Sequence, residues 1–160
     1  MSETHQERVS AIIPARNEED NIARVVKSLA VQQCIREIIV VNDQSVDRTG
    51  KILAALEREI PLLRTISVES LTEGWLGKTH AVAKGASTAT GDWLLFTDAD
   101  TEHLPGSLSE LLGRAEDERA DLLSVSPGQE TPTWWEKSVI PFVYVKLASL
   151  FRFEEVSDPH

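Results

Sequence analysis

Gly91-Asp92-Trp93-Leu94-Leu95-Phe96-Thr97-Asp98-Ala99-Asp100 is the stretch on which the reading of this chain turns. Its apolar run, Trp93 to Phe96, predicts a short buried strand that stops on two carboxylates spaced i, i+2. In an extended chain that spacing turns both side chains to the same side. Two like charges placed together repel, and leaving them unpaired at the end of a buried strand is costly. A divalent cation removes both problems. Oxygen-only donors suit a hard ion, Mg²⁺ or Mn²⁺, which keeps waters and shares its remaining positions with substrate phosphates. The plainer alternative is a strand followed by an acidic turn, since Asp favours turns and helix caps.

The surroundings of this stretch repeat one pattern. Val9 to Pro14 reads as a strand that Pro14 should end, because proline cannot continue a central ladder. The polar turn Ala15 to Asp20 follows, with Asp20 as the expected N-cap of a helix carrying Ile22, Val25, Val26 and Leu29 on one face and Arg24 and Lys27 on the other. Glu37 to Asp43 has an unbroken aliphatic centre, as in a strand buried on both faces of a parallel sheet. Asn42 to Thr49 is dense in turn and capping residues and leads into a helix with Ile52, Leu53 and Leu56 on one side. Leu63 to Val68 is a weaker third strand, and a loop from Glu69 to Gly77 opens a helix over Lys78 to Ala89. Beyond the Trp93 strand, Pro105, Ser107 and Ser109 sit at the start of a further helix to about Arg119, and Asp121 to Ser126 reads as a fifth strand. Strands alternating with helices imply right-handed crossovers and a mostly parallel α/β sheet with helices on both faces. Ligands of such sheets sit beyond the carboxyl ends of the strands, where the polar clusters at 15–20, 43–49 and 98–103 all fall.

Bulk properties narrow the function classes. The chain has 160 residues, 41% hydrophobic and 26% charged, about one ordinary globular domain. A formal net charge of −10 argues against a nucleic-acid binder, which needs a basic face for phosphates, but leaves room for a single nucleotide held by one or two cations and a metal. Cys34 is the only cysteine, so no intrachain disulfide and no cysteine metal cluster forms, in keeping with a reducing, cytoplasmic setting. Residues 1–8 are a polar tail without a signal-peptide pattern, and no run of about 18 apolar residues predicts a membrane span. The tail from Pro132 differs in composition, holding six of the nine aromatics between Trp134 and Phe153. With Lys137, Lys146 and Arg152 able to snorkel, 134–153 resembles a membrane-interfacial helix; a core or partner-facing helix is the alternative.

Gly77-Lys78-Thr79 matches the end of a P-loop, but the first glycine of that motif would fall on Thr72, and no strand immediately precedes it. Gly74 and Gly77 instead allow close backbone approach, and Lys78 at a helix start can meet a diphosphate.

Four segments, Val9–Glu18 (VSAIIPARNE), Ile39–Thr49 (IVVNDQSVDRT), Gly77–Ala81 (GKTHA) and Thr97–Asp100 (TDAD), occur in that order and together resemble the family-two inverting glycosyltransferases of the GT-A fold. Gly74–Lys78 with Trp93–Thr101 resembles the branch found with hopanoid biosynthesis, related to ceramide and carotenoid sugar transferases. The resemblance implies a Rossmann-like GT-A domain, C-terminally truncated, with the donor half over 9–130 and the start of an acceptor- or membrane-proximal half over 131–160. It implies a nucleotide-diphosphate sugar donor, typically a UDP-sugar, bordered by Pro14, Ala15, Asn17 and Glu18, with Glu18 near the ribose. By the same resemblance Asp43 accepts from the base, Asp47 braces its loop, and Lys78 lies by the diphosphate. Asp98 sits near the ribose and the metal-bound diphosphate, and Asp100 ligates Mg²⁺ or Mn²⁺ directly. The family's catalytic base and a later Gln-x-x-Arg-Trp motif are expected downstream of residue 160; Glu154-Glu155 is a weaker substitute, without helix context. The implied activity is inverting sugar transfer to a lipid acceptor at the cytoplasmic membrane face. A non-catalytic nucleotide-sugar-binding fragment is one alternative, and a nucleotidyltransferase, which would want more cations than Arg16 after the first strand, is another.

Overall fold

The computed structural model describes residues 8–70 and 74–125, with Gly128, Trp134 and Val145. Two compact units divide the chain, Met1–Ser124 and Val125–His160, and the elements below belong to the first. They alternate: β1 (Val9–Ala15), α1 (Ile22–Ala30), β2 (Ile35–Asp43), α2 (Thr49–Glu59), β3 (Leu63–Val68), α3 (Gly77–Ala86), β4 (Trp93–Phe96) and α4 (Ser107–Asp117). The strands form one parallel sheet in the order β3-β2-β1-β4. All four carboxyl ends therefore share one edge.

The aliphatic centre of β2 behaves as its composition requires, with Ile38, Ile39, Val40 and Val41 all fully buried. On one face Ile38 and Val40 join Ala11 and Ile13 of β1 against Val25, Val26 and Leu29 of α1, Leu53 and Leu56 of α2, and Leu108 and Leu112 of α4. On the other, Ile39, Val41 and Val68 meet Ala81 of α3. Each such side chain taken out of water contributes roughly 1.5–3 kcal/mol before entropy is charged against it. α3 lies close on the sheet because Gly85 has no side chain. A Cβ there would fall 2.6 Å from Ile12 Cγ2 and 3.1 Å from Val41 Cγ2.

Four local expectations are corrected. Pro14 does not end β1, because it pairs with Val41 and the strand runs on to Ala15. Thr97 N–H donates to the Ile12 carbonyl, so alternation points Pro14 the same way, past Phe96, the last paired residue of β4. No ladder donor is lost there. Asp20 does not cap α1. The cap residue is Asn21, and the Glu18 carbonyl accepts from the N–H groups of Asn21 and Ile22. β4 is not buried, since Leu94 and Phe96 are 42% and 52% exposed. It is an edge strand among the described residues, and α3 packs chiefly over β1 and β2. Residues 121–125 form no strand, with Leu122 and Val125 exposed. Beyond them, 131–160 lies outside the described residues except for the exposed Trp134 and Val145, so the expectations for Glu154, Glu155 and the 134–153 segment do too. Among the described residues no helix is long and apolar enough to cross a membrane.

Candidate functional site

Three of the four parallel strands deliver a different polar segment to the shared edge. β1 gives the turn after Ala15, β2 gives Asp43 and the loop to Thr49, and β4 gives Thr97 to Asp100. α3 adds its first turn, Gly77-Lys78. These segments enclose a cleft of about 410 Å³ lined by Pro14, Ala15, Arg16, Glu18, Asp43, Gly77, Lys78, Ala81, Asp98, Ala99 and Asp100. Seven of the eight residues expected to hold a donor and a metal, Pro14, Ala15, Glu18, Asp43, Lys78, Asp98 and Asp100, line it.

Asn17 does not line the cleft. It adopts a positive φ of 57°, which Asn tolerates better than most residues, and straps the first turn to the second. Its N–H donates to Ser45 Oγ at 3.0 Å and its Oδ1 accepts from Val46 N–H at 2.9 Å. The same two loops are tied again by buried Thr49, whose Oγ1 accepts from Glu18 N–H at 2.8 Å. Asp47 takes the N–H groups of Thr49 and Glu19 at 2.9 and 3.1 Å. Desolvation pushes the Asp47 carboxyl up, but the Thr49 and Glu19 donors outweigh it and hold it below its ordinary value. In return Glu19 Oε2 accepts from the Arg48 backbone and guanidinium, which hold the Glu19 carboxyl low. The clasp fixes where Glu18 and Asp43 stand relative to each other.

Asp43 is the buried carboxylate of the cleft, its side chain 8% exposed, with Arg16 Nη1 3.8 Å from Oδ2. Gly77 is what lets α3 approach it, since a Cβ at Gly77 would sit 2.8 Å from Asp43 Oδ2. Gly74 plays a different part from the one its neighbour does. It has open space around it and supplies a positive φ of 82° to the loop before α3.

The carboxylate pair does not stand on an extended strand. β4 ends at Phe96, and Ala99-Asp100 is a turn closed by Thr101 N–H donating to the Asp98 carbonyl at 3.3 Å. The i, i+2 argument for a shared side therefore fails as geometry, yet the turn brings both residues to the cleft. Asp98 Oδ1 lies 2.7 Å from Lys78 Nζ, with both side chains largely exposed (58% and 67%). An exposed pair of this kind adds little stability. It shows that the Asp98 carboxylate is open to a cation. Among the described residues no three His, Cys, Asp or Glu side chains converge on a metal position. Asp98 and Asp100 alone are an incomplete, oxygen-only donor set, which fits a hard ion completed by water and phosphate oxygens.

Reading the residues one by one missed Arg16, Ala81 and Ala99 as lining, and Ser45 and Thr49 as ties. Arg16 had a signal, a cation directly after a β1 that ends at the ligand edge. Ala81 and Ala99 had none, being small residues that face space only because of the packing around them.

Comparison with known proteins follows the same lines. The model of "Glycosyl transferase family 2" matches residues 10–159. A 4,4'-diaponeurosporenoate glycosyltransferase of Staphylococcus haemolyticus is 39% identical over 94 residues, 59% of this chain and 24% of that protein. The Staphylococcus aureus (strain USA300) protein of the same name is 30% identical over 153 residues, 94% of this chain and 40% of that one. The chain thus spans between a quarter and two-fifths of the length of these relatives. Among solved structures, S. aureus TarS 1–349 superposes with a TM-score of 0.60 at 26% identity, covering 79% of this chain and 38% of that one. The mannosyltransferase PcManGT from Pyrobaculum calidifontis, in complex with GDP-Man and Mn²⁺, gives 0.61 at 26% identity over 69% and 32%.

Proposed function

The chain belongs to glycosyl transferase family 2, with the α/β architecture of the GT-A fold, and from that premise we propose that its cleft binds a nucleotide-diphosphate sugar through a divalent cation. The observation that carries the proposal is the convergence of Glu18, Asp43, Lys78, Asp98 and Asp100, from four segments distant in sequence, on one cleft at the carboxyl edge of a parallel sheet. The Mn²⁺ and GDP-Man of the mannosyltransferase neighbour support the ligand class by likeness.

In this reading Pro14, Ala15 and Glu18 border the nucleoside, with Asn17 holding their turn from outside the cleft. Asp43, buried with Arg16 at 3.8 Å, accepts from the base, typically the N3–H of uracil. Lys78 leaves Asp98 for the diphosphate, where its charge offsets the negative charge that grows on the departing group. Asp98 and Asp100 hold Mg²⁺ or Mn²⁺, which when bound supplies Lewis-acid stabilisation of that leaving group. Attack on the opposite face of the sugar by a hydroxyl whose proton a carboxylate base removes gives inversion. That base is assigned to a region after residue 160. The donor half is assigned to 9–130 and the beginning of the acceptor half to 131–160.

The acceptor is proposed to be a lipid met at the cytoplasmic face of the membrane, and the branch to be the hopanoid-associated one. The relatives named 4,4'-diaponeurosporenoate glycosyltransferase and the aromatic composition of 134–153 favour this. Liposome flotation with and without 134–153 tests the membrane part, with unchanged flotation counting against it. For the site itself, calorimetric titration of UDP with and without Mn²⁺ is the test, on wild type and Asp100→Ala. Metal-dependent UDP binding lost in Asp100→Ala is the expected result. Tighter binding of ATP than UDP, or binding of neither by folded protein, would overturn the assignment.

A further inference from the structure

The Asp98–Asp100 turn belongs to a ten-residue segment, Thr97 to Gly106, with no helix or strand of its own. Such a segment cannot hold two carboxylates in a metal's geometry unless something else fixes its backbone. What fixes it is a line of polar residues on and just beyond α1. Arg24, Ser28 and Gln32 follow one another at i, i+4 and i+8, so they stack along one side of the helix and its last turn. Each bonds the segment at a successive point. Arg24 Nη2 donates to the Asp100 carbonyl at 3.2 Å. Ser28 Oγ accepts from His103 N–H at 3.1 Å. Gln32, 3% exposed, donates from Nε2 to the Leu104 carbonyl at 2.8 Å and accepts at Oε1 from Gly106 N–H at 3.2 Å. The segment then closes on itself where Thr97 Oγ1 and His103 Nε2 share a hydrogen bond of 3.0 Å. Buried Ala99 pins the centre of the turn to the core.

We propose that Arg24, Ser28 and Gln32 are positioning residues for the Asp98–Asp100 carboxylates, acting through the backbone of residues 100–106. The proposal rests on the donor-site reading above and extends it to residues that never touch the cleft. Asp43 stands on β2 and Glu18 in the turn before α1, and none of these four bonds reaches either. The line should therefore govern the metal-dependent part of nucleotide affinity and leave the metal-independent part alone. A purely structural role would weaken both together.

The experiment is titration of UDP with and without Mn²⁺ on wild type, Arg24→Ala, Ser28→Ala, Arg24→Lys and Ser28→Thr, with melting temperatures measured alongside. Because Gln32 is buried, Gln32→Met is added only as the severest variant. Arg24→Ala and Ser28→Ala should each lower the Mn²⁺-dependent gain in UDP affinity by roughly 3- to 10-fold, the effect of one modest hydrogen bond, with metal-free affinity unchanged. The Lys and Thr variants, which keep a donor or an acceptor, should restore most of it. Equal losses with and without Mn²⁺, or no loss in either alanine variant, would overturn this proposal while leaving the donor site standing. A wild type that gains nothing from Mn²⁺ would overturn the donor-site reading, and this proposal with it.

Discussion

The two ends of the same parallel sheet treat their carboxylates in opposite ways. At the amino end Glu37 is 16% exposed and saturated with donors. Oε1 accepts from Ser10 Oγ at 2.8 Å and from both Thr90 N–H and Thr90 Oγ1 at 2.7 Å, while Arg64 Nη2 donates to Oε2 at 3.1 Å. Gly91 N–H also donates to Ser10 Oγ, so β1, β2, β3 and the entry to β4 are buttoned together at one point. Alongside, Arg8 bridges Asp92 and Glu116, joining the start of β1 to β4 and α4. At the carboxyl end, among the described residues, Asp98 meets the exposed Lys78, and Asp43 has Arg16 at 3.8 Å and a long contact from Gln44 Nε2 at 3.4 Å. One end has its polar groups satisfied from within; at the other, beside the closed Asp47–Glu19 clasp, the carboxylates that line the cleft are left for something that arrives. A closed network stabilises the fold; an open one at the strand ends of an α/β sheet is where a ligand fits.

That contrast can be broken by substitution. The largest effect should come from Glu37→Ala, which removes the acceptor shared by Ser10, Thr90 and Arg64. A loss of about 3 kcal/mol, or a fall of roughly 6–12 °C in melting temperature, is expected from one charged acceptor with several donors, without change in UDP affinity at temperatures where the protein is folded. Calorimetric melting and titration on the same sample check both halves. Lys78→Ala at the other end should do the reverse. Stability should move by less than about 0.5 kcal/mol, as for any exposed pair, while UDP affinity in Mn²⁺ falls at least ten-fold, about 1.4 kcal/mol. Should Lys78→Ala melt much lower than wild type, the open end is structural after all.

Gly77→Ala lies between the two. A Cβ there meets Asp43 Oδ2 at 2.8 Å, so α3 or Asp43 must shift. About 1 kcal/mol of stability and a several-fold loss of UDP affinity are expected, read by the same two measurements. The smallest effect is in pH. Burial pushes the Glu37 carboxyl up, but donation from Thr90 and Ser10 and the charge of Arg64 bring it below its ordinary 4.5. The unfolded chain therefore binds more protons between the folded and unfolded values. Stability from this group is complete above about 4.5 and is lost as pH falls through the lower, folded value. Denaturant melts from neutral to acid pH should show a shallower loss in Glu37→Gln than in wild type.

Much of the fold was legible because its signals are local. The aliphatic centre of β2 has no way to be half-exposed, and β1 and β3 alternate with helices whose apolar residues recur at the helical period. The site's edge was legible for the same reason, since polar clusters following three strands must share an edge once the strands are parallel. What was hidden depends on partners far along the chain. Arg24 reads as an ordinary solvated residue on the polar face of α1, and nothing near it announces the Asp100 carbonyl 76 positions later. Ser28 and Gln32 are likewise explained only by residues 103–106. Pro14 was expected to stop β1 because the length of its neighbour β4 was not known. Leu94 and Phe96 read as core by composition and are exposed by topology. Asn17 matched a binding motif by position but spends its side chain on the neighbouring loop.

The most direct test of the account is where the metal sits. β1 has seven residues, so a rise of roughly 3.3 Å each puts the two ends of the sheet about 20 Å apart. Paramagnetic broadening of backbone amide signals by Mn²⁺, added with UDP, resolves that distance. The account predicts strong broadening at Ala15 to Glu18, Asp43, Lys78 and Asp98 to Thr101, with Ser10, Glu37 and Gly91 much less affected. Broadening centred on the Glu37 end, or spread evenly over both ends, would contradict it.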